Sequence, residues 1–274
     1  MSISVMYITN RYGGMDILKS SLNRQEFKDF ELVIVDGLYD LRKDEVKEYF
    51  KDVTYPVKHL KEIELEPDKG YKAKLARCIN QGFSNCEGDL IVSLQDYIYV
   101  PKDGLAKFWA IYQFNSNALV TGISHQYYYP EKSEIVDEKG LITIFGEDFT
   151  KKPDIRFWTD PRPTGNGSLR EAQPVEWELN WASIPNKVVR DLGGCDAEYD
   201  LHGFGYDNTN LATRAAFIGY PIYLHPTNEV FCFNHDGWWE NKYKKEGIQP
   251  HDFHIQQMNR MFKGEIPARL NYLD

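Results

Sequence analysis

The run FELVIVDG, Phe30 to Gly37, decides the architecture of this chain. Apart from Glu31, its first six residues are apolar, and Asp36-Gly37 closes it with a turn signal. A strand with one wet face alternates apolar and polar side chains, whereas a strand covered on both faces reads as a continuous apolar run. Phe30 to Val35 is therefore expected to lie inside a sheet flanked by helices.

The sequence on either side repeats that logic. Upstream, Ile3 to Thr9 is a β-rich run followed by Asn10-Arg11 and Gly13-Gly14, which predicts a first strand ending in a loop. Residues 16–29 carry Ile17, Leu18, Leu22 and Phe27 among charges, as a surface helix does. Downstream, the pattern predicts a helix over 41–50, a third strand from Thr54 to Leu60, a helix from Tyr71 to Cys86, and a fourth strand from Asp89 to Leu94 that ends in Gln95-Asp96-Tyr97. Strands alternating with helices at this interval mean an α/β fold with a mostly parallel open sheet and helices on both faces.

The placement of the polar residues follows. Thr9, Asn10 and Arg11 come after the first strand, Asp36 after the second and Asp96 after the fourth, so all fall at carboxyl ends of strands. In an open parallel sheet those ends share one edge, and ligands bind in the crevice outside it.

The second half is less regular. A helix is expected over Leu105 to Phe114, strands over Ala118 to Ile123 and Trp177 to Ile184, and a short helix from Asn186 to Leu192. Residues 124–174 hold Tyr127-Tyr128-Tyr129-Pro130, an acidic stretch and a Pro/Gly-rich loop, and read as an acceptor-side insertion. Then comes LGGCDAEYDLHGFGYDNTNLATR, Leu192 to Arg214. Paired glycines beside carboxylates at Asp196, Glu198, Asp200 and Asp207 indicate a backbone bent to present side chains. Leu211, Ala215 and Ile218 recur at helical spacing, with Gly219 as the C-terminal cap, so Asp207 opens a helix at the mouth of a tight turn. Two strands, Tyr220 to His225 and Glu229 to Phe233, are expected next, then a terminal helix and tail over 240–274.

These marks resemble those of glycosyltransferases with the GT-A fold, in particular family 2 inverting enzymes and the β-1,4-galactosyltransferase group. Gly193, Gly194 and Asp196, then Gly203, Phe204, Gly205 and Asp207, match the C-terminal catalytic motif. Thr9-Asn10-Arg11 matches the end of strand one, and Asp36-Gly37 and Gln95-Asp96-Tyr97 match the nucleobase and metal motifs in part. The departures are Tyr206 in the place of a usual Glu, Asn208 where another acid is common, and a single acid at the metal motif.

The resemblance implies a GT-A-like, Rossmann-type fold with an elaborated C-terminal half, divided into a donor half (1–105), an acceptor and catalytic half (106–239) and a C-terminal helix and tail (240–274). It implies an inverting, metal-assisted transfer from a nucleoside-diphosphate sugar, with a UDP-sugar as donor and a saccharide or other hydroxyl-bearing molecule as acceptor. Asp207 would be the general base. Thr9, Asn10, Arg11, Asp36, Lys74, Arg77, Gln95 and Asp96 would bind the donor, and Trp177, Glu178, Phe204 and Tyr206 the acceptor. Asp96 and His235, with His225 in reserve, would hold Mn²⁺ or Mg²⁺, since hard cations take oxygen ligands and an imidazole tilts the choice toward Mn²⁺. With one acid fewer than usual, Lys72, Lys74 or Arg77 would carry part of the phosphate charge. A nucleotidyltransferase and a non-catalytic sugar-nucleotide-binding module are the competing classes.

Composition narrows the partners. The 32 Lys and Arg against 41 Asp and Glu in 274 residues argue against a broad nucleic-acid face. Four scattered cysteines form no CxxC pair, as expected of a reduced, cytoplasmic protein. The N-terminus lacks a signal-peptide pattern, and no run reaches the ~20 apolar residues of a membrane helix.

Overall fold

The computed structural model describes residues 2–65, 69–127, 156–162, 167–203, 205–233 and 249–273, with backbone alone at 156 and 157. The strands are β1 (Ile3–Thr9), β2 (Phe30–Asp36), β3 (Val57–Lys61), β4 (Leu90–Leu94), β5 (Ile98–Tyr99), β6 (Leu119–Tyr127), β7 (Arg156–Trp158), β8 (Arg170–Glu171), β9 (Trp181–Pro185) and β10 (Ile222–Phe233). The helices are α1 (Met15–Asn23), α2 (Tyr39–Tyr49), α3 (Leu75–Asn85), α4 (Gly104–Phe114), α5 (Asn186–Leu192), α6 (Asp207–Phe217) and α7 (Pro250–Phe262).

One sheet runs in the order β3-β2-β1-β4-β9-β6-β10-β5, with β7 paired to β6 and β8 to β10. The first four strands of that order are parallel, as are β6 and β10, while β9 runs antiparallel to both its neighbours. The apolar run of β2 is buried throughout. Its side chains split between two cores: Leu32 and Ile34 join Ile3, Val5, Leu105 and Phe108 on one face, and Val33 joins Met6, Ile79, Phe83 and Leu211 on the other. Helices therefore cover both faces, which is why the strand shows no period of two.

Element boundaries depart from the sequence expectation where long-range contacts decide them. α1 stops at Asn23 because Gln25, wholly buried, donates to the Ser21, Val100 and Pro101 carbonyls and accepts from the Leu105 amide. α3 begins at Leu75, four residues late, because its first turn is capped by Asp200, which accepts from the Ala76 and Arg77 amides. The two strands expected over 220–233 are one strand, β10, whose pairing with β6 shifts register between Leu224 and Glu229. Pro226, with no N–H to give to the ladder, lies within that shift. Gly122 is required where β6 passes Trp181, since a Cβ there would lie 2.1 Å from the indole. Among the described residues, no helix is long and apolar enough to cross a membrane. Tyr128-Tyr129-Pro130, the acidic 131–138 stretch and Trp238-Trp239 lie outside the described residues.

Candidate active site

The carboxyl ends of β1, β2 and β4 meet, and a chain of ion pairs ties them together. Asp36 has no exposed surface; its two oxygens accept from Arg42 Nε and Nη2 at 2.8 and 2.7 Å, from the Leu38 amide at 2.8 Å, and lie 2.8 Å from His59 Nε2. Burial opposes its charge, but the His59 and Arg42 bonds win and hold its carboxyl down at about 2. Arg42 also donates to the Arg11 carbonyl at 2.6 Å, and Arg11 Nη1 donates to Asp96 at 2.8 Å. Thr9 is buried at the centre of this chain, and its hydroxyl accepts from the Arg11 amide. Asn10 is exposed on the rim.

Beside Asp36 opens a cleft of about 720 Å³ whose lining includes Gly37, Tyr39, Leu41, Glu62, Tyr71 and Lys74. Its volume is in the range of small-ligand sites. Lys74 pairs with Glu62, and Arg77 bonds Asp200, the Ala197 carbonyl and the Tyr71 hydroxyl while its guanidinium lies 4.1 Å over the Tyr71 ring. Arg42 and His59, which lock Asp36, are absent from the sequence expectation. They carry no local motif, and only the fold brings them to the acid.

Asp96 is buried; among the described residues its second oxygen, Oδ1, makes no hydrogen bond of ordinary geometry, and its polar neighbour is the likewise buried Tyr7 hydroxyl. The Tyr7 phenol is pushed well above its ordinary value by burial and then by the Asp96 charge. A buried carboxylate beside a phenol at the carboxyl ends of the strands offers the oxygen donors that a hard cation takes. Among the described residues no group of three or more His, Cys, Asp or Glu could hold one alone. The fit is to an ion completed by phosphate oxygens and water, the usual manner of Mg²⁺. His235 lies outside the described residues. His225 is not the reserve ligand: Lys107 and Asp103 act on its charge, eight residues back along β10 from Phe233, whose amide meets the Tyr97 carbonyl next to Asp96. On β6, whose Thr121 and Tyr127 pair with Leu224 and Phe233, the six residues between them at about 3.3 Å each put it roughly 20 Å away.

Asp207 opens α6, as its spacing implies, and is 5% exposed. Its carboxyl is raised from 3.8 to about 6, by burial first and then by the nearby Asp200, against the pull of the backbone amides at the helix start. The helix-terminal field expected to keep it acidic is outweighed by desolvation. Tyr206 precedes it with φ 66°, a left-handed conformation that side-chain-bearing residues adopt at a cost of about 1–3 kcal/mol. The segment 177–180 joins this helix to the metal motif. Asn208 Nδ2 donates to the Trp177 carbonyl at 3.0 Å, and the Gln95 amide donates to the Asn180 carbonyl at 3.1 Å. Asp96 and Asp207 are thus each one residue from an anchor on the same four-residue segment.

Of the residues expected to meet an acceptor, Glu178 and Tyr206 are partly exposed, and Phe204 lies outside the described residues. Trp177 is a correction. Its ring is wholly buried in the core that holds Leu211 and Ala215 of α6, and its carbonyl accepts from Asn208 of the same helix. An aromatic in polar sequence company is here a core residue.

The remaining acids of the motif hold structure. Asp196 caps the 3₁₀ turn 197–201 by accepting from the Glu198 amide, and Asp200 caps α3. The glycine pair admits the C-terminal segment: a Cβ on Gly193 would lie 1.7 Å from the Leu270 carbonyl oxygen, and one on Gly194 2.5 Å from Asn80 Oδ1. The Leu270 amide bonds the Leu192 carbonyl and the Tyr272 amide the Gly193 carbonyl. Arg214, 2% exposed, clamps the junction by donating to the carbonyls of Leu192, Gly194 and Ala268.

No protein-family model matches the chain, and no curated protein matches it in sequence. Solved structures do match. GalNAc-T7 with UDP, GalNAc and Mn²⁺ superposes with a TM-score of 0.61 at 14% identity, over 97% of this chain and 56% of that one. S. aureus TarS residues 1–349 in complex with UDP gives 0.53 at 14% identity, over 96% of this chain and 72% of that one. The mannosyltransferase PcManGT from Pyrobaculum calidifontis, in complex with GDP-Man and Mn²⁺, gives 0.52 at 15% identity, over 84% and 56%. The chain spans little more than half the length of two of these three. With the parallel order β3-β2-β1-β4 and the antiparallel β9 beside it, this likeness shows that the chain has the GT-A fold.

Proposed function

We propose that the chain is an inverting glycosyltransferase that moves a hexosyl group from a nucleoside-diphosphate sugar to an acceptor hydroxyl, with Asp207 as general base. The observation that carries this is the buried carboxylate at the start of α6, tied through residues 177–180 to the strand edge that holds Asp96. The attacking oxygen gives its proton to Asp207 as its lone pair forms the new bond at the anomeric carbon. The bond from that carbon to the diphosphate breaks on the opposite side, and the diphosphate leaves with the electron pair. A carboxyl at about 6 is ionised at neutral pH yet more basic than an ordinary aspartate, which suits the task.

Thr9, Asn10, Arg11, Gln95 and Lys74 line the donor's path, and the cleft beside Gly37 takes the nucleoside. Asp36 acts there by fixing Arg42 and the β2 turn, since it has no exposed atom to offer a base. Uridine is the nucleoside we assign, because UDP is bound by two of the compared structures. Asp96 would hold Mn²⁺ or Mg²⁺, which when bound neutralises charge on the leaving diphosphate. Arg11, one bond from Asp96, supplies a fixed positive charge on the same edge.

Two results are expected. Asp96→Ala should weaken UDP binding in Mn²⁺ by about tenfold or more while leaving binding in EDTA unchanged, measured by calorimetry. Equal affinities in both conditions would remove Asp96 from the cation site. Protonated Asp207 cannot accept a proton, so kcat/KM should rise about tenfold per pH unit up to about 6 and level off above it. A profile flat through pH 5 would take the base role from Asp207.

A further inference from the structure

The sequence offers no site in the last 35 residues, yet α7 packs on the catalytic turn. His254, 8% exposed, lies with Nδ1 2.8 Å from the Tyr199 hydroxyl, and its ring stacks on Tyr206 at 5.3 Å and 24°. His251, one turn earlier, meets the Tyr206 ring at 5.4 Å edge-on. Phe253 stacks on His202 at 3.9 Å and meets Tyr199 at 4.9 Å. Gln257 adds a bond to Glu198 at 3.2 Å. Four residues of one helix therefore grip the turn between residues 198 and 206.

Tyr206 is where that grip reaches the chemistry. It holds a left-handed backbone, its carbonyl accepts the first hydrogen bond of α6 from the Asn210 amide at 2.8 Å, and Asp207 is the next residue. A bulky residue in that conformation persists only where its surroundings over-determine it. The His254 and His251 rings are the ring contacts that Tyr206 makes among the described residues. Tyr199, held from the other side of the same imidazole, belongs to the 3₁₀ turn that carries Asp200.

We propose that His254 is a positioning residue for Asp207, acting through Tyr199 and Tyr206, so that α7 completes the active site from outside it. This rests on Asp207 being the base. Among the described residues the group whose charge bears on Asp207 is Asp200, which does not belong to α7; Cys195 and Tyr199, pushed up by burial and by Asp207 itself, stay neutral beside it. Loosening α7 thus changes the environment of Asp207 by admitting water rather than by removing a charge.

The test follows the carboxyl itself. In protein labelled with ¹³C-aspartate, with the Asp207 signal assigned through Asp207→Asn, the wild-type midpoint is expected at about 6. In His254→Ala it should fall by about one pH unit toward the ordinary value as water reaches the turn. His254→Phe, which keeps the stack, and His254→Gln, which keeps the bond to Tyr199, should fall between, and they carry the same readout if the alanine variant unfolds. Alongside, kcat should drop about tenfold with the donor KM held. An Asp207 midpoint unmoved in all three variants overturns the proposal, whatever the rates. A midpoint that moves in a protein that transfers no sugar from any nucleotide donor upholds the positioning role and ends the transferase reading instead.

Discussion

Asp207→Asn is expected to lower kcat by about 10²–10⁴-fold while the affinity for UDP, measured by calorimetry, stays within a factor of two of wild type. The two carboxyl-group isosteres fill the same space at the start of α6, so the turn survives and the loss is confined to proton removal. A second readout separates a base from a helix cap. The carboxyl is raised from 3.8 to about 6, so the folded state holds the Asp207 proton more tightly than the unfolded chain does. That favours the fold below about pH 4 and the contribution is lost as pH rises through 6. At pH 8 the folded protein carries a buried charge that costs up to about 3 kcal/mol, at about 1.4 kcal/mol for each tenfold change in proton affinity. The asparagine variant should therefore melt higher than wild type at pH 8 and equally at pH 4, while being inactive. If Asp207 served only as a cap, the variant would keep its rate and gain little stability, because asparagine caps as well as aspartate.

The largest stability loss is expected at Gly193. Its φ of 72° is left-handed, and a Cβ there would lie 1.7 Å from the Leu270 carbonyl oxygen and 2.3 Å from its carbon. The obstacle is backbone, which no rotamer change can move aside. Gly193→Ala must expel the C-terminal segment, breaking the bonds from the Leu270 and Tyr272 amides and stranding the Arg214 guanidinium among carbonyls it no longer shares. The expected cost is about 3 kcal/mol or more, read from urea midpoints. Gly205→Ala, whose Cβ meets nothing within 4 Å among the described residues, should cost only the left-handed penalty of about 1–2 kcal/mol. Equal losses at the two glycines would mean that the tail does not bear on the turn.

The fold was legible because its signals are local. The apolar run Leu32 to Val35 of β2, the helical spacing of Leu75, Ile79 and Phe83, and Asp-Gly at the strand end each report on their own few residues. The mostly parallel α/β sheet follows from them, and the GT-A form was what the resemblance of the Gly193 to Asp207 motif implied. Asp207 was legible for the same reason, since a glycine-flanked turn followed by a helical period places an acid at a helix start. What could not be read depends on partners far along the chain. Nothing near Asp36 shows that Arg42 and His59 will occupy both its oxygens, nor near Asp200 that it will cap a helix 124 residues away. Trp177 misled because indole rings look alike in sequence whether they end in a cleft or in the core, and the 3₁₀ turn Pro174–Glu176 placed this one against α6. Residues 249–273 carried no motif, since a helix that acts by gripping a turn needs only rings at the right spacing.

The junction made by Arg214 also orders events in the living cell. The four parallel strands lie within residues 3–94, whereas the Asp200 cap of α3, and then the carbonyl of Ala268 and the amides of Leu270 and Tyr272, arrive about 105 to 175 residues later. A growing polypeptide therefore has its parallel strands long before the turn that carries Asp207 is clamped.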